Sequence, residues 1–68
     1  MVEDWILIHT FGKNYLAEIA KEVMLDNDIE AVVFDKTESS YTHFSTFELY
    51  VRPENVEKAL ELIKQIEN

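Results

Sequence analysis

The chain predicts an α+β fold: a two-layer sandwich in the order β-α-β-β-α, with a three-stranded antiparallel sheet in strand order 1-3-2 and both helices on one face. Three observations predict it. The spacing of apolar residues switches from consecutive or alternating, as in strands, to the i, i+3, i+4, i+7 pattern of helices, and does so twice. Short turn-forming clusters separate these segments. The 68 residues contain one Gly and one Pro, so regular structure fills a single domain, residues 1–68, without linkers.

Trp5 to Thr10 reads as the first strand, short and rich in apolar and β-branched residues, and stopped by Phe11-Gly12-Lys13-Asn14. Asn14 is the expected helix N-cap. Leu16, Ile19, Ala20 and Val23 then form one helical stripe, with Glu18, Lys21 and Glu22 on the other side. Asn27-Asp28 ends this helix, both residues tolerating left-handed backbone better than most. Ile29 to Lys36 is the second strand, and Thr37 to Thr46 a polar connection. Phe47 to Val51 alternates: Phe47, Leu49 and Val51 on one side, Glu48 and Tyr50 on the other. Pro53 suits the first position of a helix, where its missing N–H costs nothing. Val56, Ala59, Leu60 and Ile63 repeat the helical stripe, and Glu54–Lys58 is a favourable i, i+4 pair. A right-handed crossover joins the first two strands. Inserting the third between them makes all neighbours antiparallel, a ferredoxin-like layout that lacks its last strand.

Composition excludes several function classes. With 14 acidic and 6 basic residues the net charge is −8, which repels nucleic acid and anionic membranes. No run of about 18 apolar residues is present to span a bilayer. The N-terminus, Met-Val-Glu-Asp, lacks the basic and apolar regions of a signal peptide, so a cytoplasmic location is expected. With no Cys, disulfides and thiolate metal sites are ruled out. Asp26, Asp28 and Glu30 alternate as at the start of a calcium loop, but the turn Gly and distal Glu are missing. Ser39 and His43 match a nucleophile and base by residue type only; nothing orients the His or supplies an oxyanion hole. No catalytic, cofactor-binding or metal-binding residue is therefore expected, and no enzyme.

The informative surface is the sheet face turned away from the helices. Alternation sends Ile6, Ile8, Ala31, Val33, Phe47, Leu49 and Val51 towards the helices. It sends Trp5, Leu7, His9, Val32, Phe34, Glu48 and Tyr50 away. A half-solvated antiparallel sheet alternates polar residues on its outer face. Here Trp5, Leu7, Val32, Phe34 and Tyr50 form instead an apolar and aromatic set with the composition of an interface. The first strand's outer edge, with no fourth strand to pair it, is a second docking candidate. The loop residues Ser39, Ser40, Tyr41 and His43 are a third, with Tyr41 expected to pack back onto the domain as the loop's anchor. A non-enzymatic interaction module follows, acting as a homodimer or on a protein partner.

Particular residues carry a family resemblance. Trp5-Ile6, Tyr15 with Ala17-Glu18, Ile29 to Val33, Asp35 to Tyr41, Glu48 to Val51 and Lys58 to Ile63 resemble a family of small bacterial domains of unknown function, the putative prokaryotic signal-transducing proteins. The likeness covers nearly the whole chain, mostly through core and turn residues. It implies a fold similar to the nitrogen-regulatory PII proteins and a role in signal transduction. It also implies an alternative: a small-molecule sensor holding its ligand at a dimer interface near the 37–46 loop. One departure stands out, since Asp28 occupies a position where the family commonly has Gly.

Overall fold

A computed structural model describes residues 4–36 and 46–67. Strand β1 (Ile6–Phe11) leads into helix α1 (Asn14–Asp26), strands β2 (Ala31–Asp35) and β3 (Phe47–Val51), and helix α2 (Val56–Glu67), with a 3-10 turn at Pro53–Asn55 before the last helix. The sheet order is β1-β3-β2, with both pairings antiparallel. This is the predicted architecture. The trace is 15 Å deep in its thinnest direction, room for the sheet and one helix layer about 10–12 Å in diameter.

β3 alternates as its sequence demands: Phe47, Leu49 and Val51 are buried, Glu48 and Tyr50 half-buried. Ala17, Ala20 and Met24 of α1 and Ala59 and Ile63 of α2 close over them, joined by Phe11, Ile29 and Ala31. The helices contribute mainly alanines and one methionine at full burial, and the sheet contributes the larger branched and aromatic groups. The helical stripes are rotated from the predicted ones. Ile19 is 47% exposed and Leu60 42%, although the periodic pattern places both in the core. Ala17 and Met24, not Ile19, complete the buried stripe of α1.

The helix ends differ in their chemistry. Asn14 is already helical; the cap position belongs to Lys13, whose extended backbone makes no side-chain cap hydrogen bond. Glu54 lies in the 3-10 turn and forms no ion pair with Lys58. The C-terminus of α1 is tightly built. The Ile29 N–H donates to the Met24 carbonyl at 2.9 Å and the Asp28 N–H to the Leu25 carbonyl at 3.1 Å. These are the two bonds of a Schellman motif. Asp28 supplies the left-handed residue, with φ 63°. Ile29 and Met24, both buried, give the motif its apolar contact. The Asn27 side-chain amide donates to the Val23 carbonyl at 2.8 Å, satisfying one more of the last carbonyls.

β1 contains a bulge. Leu7 is opposite Tyr50 and His9 is opposite Leu49, so Ile8 is the extra residue. Directly opposed residues share a face, so His9 points to the helix side, where alternation predicts the outer side. Its ring meets Phe11 at 4.6 Å between centroids, while Ile8 also packs on the core. Thr10, opposite Glu48, takes the outward place instead. The bulge also brings Phe11 inward opposite Phe47, where it is buried as part of the strand.

Candidate interaction surface

Antiparallel register arranges the outer sheet face in three cross-strand rows. The central row is Leu7, Tyr50 and Val32, each directly opposite the next. Towards the β3 N-terminus the row is Thr10, Glu48 and Phe34. Beyond the other end of the ladder lie Trp5, Arg52 and Glu30. Of the predicted set, Leu7, Val32, Phe34 and Tyr50 fall on one face by register, while Trp5 precedes the paired residues of β1. Leu7 and Phe34 are the most open of the exposed apolar members, at 45% and 49%; Trp5, Val32 and Tyr50 are half-buried by their neighbours. Phe34 and Tyr50 meet edge-to-face with centroids 5.3 Å apart, a favoured aromatic geometry that stiffens the diagonal.

Polar groups frame this apolar centre and are themselves engaged. The Tyr50 hydroxyl donates to Glu48 Oε1 at 2.8 Å. This hydrogen bond, with desolvation and the carboxylate's charge, raises the Tyr50 pKa above the ordinary 10.0. The neutral phenol is therefore the form the face presents. At the opposite end Arg52 holds three partners. Its Nε donates to Glu30 Oε1 at 3.1 Å, its Nη1 lies 3.8 Å from Asp4, and its guanidinium carbon sits 4.3 Å from the Trp5 ring centroid. The cation–π contact holds the indole ring against the guanidinium. A cleft of about 300 Å³ opens there, lined by Trp5, Arg52, Glu30, Val32 and Leu25 with Ala31. The sequence reading missed Arg52, whose partner Glu30 lies 22 positions away and becomes adjacent only through the β2–β3 pairing.

Among the described residues no strand pairs with the outer edge of β1 and no element covers the outer face. The base of the β2–β3 connection is closed by a hydrogen bond from the Lys36 N–H to the Thr46 carbonyl, 2.7 Å. Ser39, Ser40, Tyr41 and His43, and with them the anchoring role of Tyr41, lie outside the described residues. No helix among those described is long and apolar enough to cross a membrane.

A family model described as "Putative prokaryotic signal transducing protein" matches residues 5–67. No curated protein matches the chain, and no solved structure does.

Proposed function

Because the chain belongs to the family of putative prokaryotic signal transducing proteins, we propose that it is a non-enzymatic interaction module that works through the outer face of its sheet, with a second copy of the chain as the occupant. The observation that carries the reading is the row Leu7–Tyr50–Val32 with Phe34 beside it, apolar side chains on a face where an exposed antiparallel sheet ordinarily turns polar groups to water. Charge supports a second copy. Glu18, Glu22, Glu57 and Glu61 are on the helices, so two sheets meeting face to face keep these acids on the outside of the pair. A two-fold arrangement brings each apolar row against its own counterpart.

Association of this kind stabilises the folded state by mass action, so the melting temperature should rise with protein concentration. Leu7→Glu with Phe34→Glu should keep the secondary structure and remove that dependence. A wild-type melting temperature independent of concentration, with no difference between the two proteins, would reject self-association through this face. The small-molecule sensor, with ligand near the 37–46 loop, rests on the PII resemblance. It makes a different prediction: a nucleotide or metal ion should raise the melting temperature at fixed protein concentration.

A further inference from the structure

We propose that α1 carries a second docking surface, distinct from the sheet face, for a basic amphipathic helix of another protein. Tyr15, Ile19 and Val23 recur every four residues along α1, and Glu18, Glu22 and Asp26 run beside them at the same spacing. Residues four apart stack on one side of a helix, so these are two parallel stripes, one apolar and one acidic. Tyr15 is 61% exposed and Ile19 about half, because Ala17, Ala20 and Met24 occupy the core side. All six side chains line one open stretch of the α1 surface.

The placement of the acids identifies the partner's chemistry. Glu18 and Glu22, and Glu22 and Asp26, are like-charge i, i+4 pairs, an arrangement that disfavours a helix. The first turn of α1, where an acid would suit the helix dipole, has none; the last turn, where a base would suit it, has no base and ends at Asp26. None of the three acids forms an ion pair among the described residues. Helix stability therefore does not account for the stripe. A line of Lys or Arg on a partner would relieve the repulsion, while the partner's apolar side chains cover Tyr15 and Ile19. A second copy docking α1 against α1 does not fit this surface, because each acidic stripe would meet like charge.

The test uses a synthetic amphipathic peptide of about 15 residues, long enough to lie along α1, with Leu on one face and Lys on the other. A control peptide replaces every Lys by Glu. Titration followed by residue-resolved NMR should shift the Tyr15, Ile19 and Val23 signals with the Lys peptide and not with the Glu peptide. Ile19→Ser, at an exposed site, should weaken binding at least about tenfold. The triple variant Glu18→Gln, Glu22→Gln, Asp26→Asn should weaken it similarly and flatten its salt dependence. Leu7→Glu with Phe34→Glu should leave it unchanged, which separates this surface from the sheet face. Shifts spread over all acidic residues, shifts centred on Leu7 and Phe34, or binding indifferent to both α1 variants would overturn the proposal. If Ile19→Ser fails to fold, the charge variant and the shift map decide alone.

Discussion

At the scale of single residues, exposure separates side chains that the sequence treats alike. Leu49 and Leu60 are both apolar residues in periodic patterns, yet Leu49 is fully buried between the helices and the sheet while Leu60 is 42% exposed. Leu49→Ala should cost about 2–5 kcal/mol, as buried truncations with a residual cavity do. Leu60→Ala should stay within about 0.5 kcal/mol of wild type. Denaturant unfolding of the two variants checks the pair, and equal costs would contradict the helix orientation. Tyr50 offers a second test. Its hydroxyl donates to Glu48, which favours the protonated phenol in the folded state. A folded pKa raised above the unfolded one means that this contribution is present below about pH 10 and lost as pH climbs through the folded value. Ultraviolet titration should find the Tyr50 midpoint above 10.0, and Glu48→Gln should move it down. A midpoint unmoved by Glu48→Gln would show that the hydrogen bond does not set it.

At the scale of elements, the α1 terminus holds stability in reserve. Asp28 adopts φ 63°, a conformation that opposes its Cβ, and it carries a negative charge beside the negative end of the helix dipole. Asp28→Gly should therefore stabilise the domain by about 1 kcal/mol, with the Schellman bonds retained. Loss of stability on this substitution would mean that the Asp side chain does something for the cap beyond occupying it. This end was legible in the sequence: Asn27-Asp28 after a periodic run announces a left-handed stop. The strand order was legible too, from alternation in Phe47 to Val51 and from the crossover rule. The helix phase was not. In α1 the stripe Leu16, Ile19, Ala20, Val23 and the stripe Ala17, Ala20, Met24 share a residue and differ by a small rotation. Size favours the first on paper. Close approach of helix to sheet favours the second, because small side chains allow it. The β1 bulge was equally hidden, since the offset between Leu7 and His9 arises from pairing with β3 and leaves no mark in β1 alone. Because the bulge lies past Leu7, it turned His9 inward without disturbing Trp5 or Leu7. The candidate surface therefore kept its apolar members while a histidine was exchanged for Thr10 at its margin.

At the scale of the whole molecule, a domain of 68 residues buries only about 60% of its unfolded surface. One helix layer covers one side of the sheet, and among the described residues no element covers the apolar row on the other side. Burying apolar area contributes about 25 cal/mol per Å² before the cost of association. A three-stranded face is small for a standard interface of about 800 Å² per partner, so the pair should be in measurable equilibrium with single chains. Light scattering across a dilution series tests the central claim most directly. The account predicts a mass near two 8.0 kDa chains at high concentration, falling towards one on dilution, with Leu7→Glu, Phe34→Glu at one chain throughout. A wild type that stays at one chain at every concentration, or a double variant that associates as well as wild type, would contradict it.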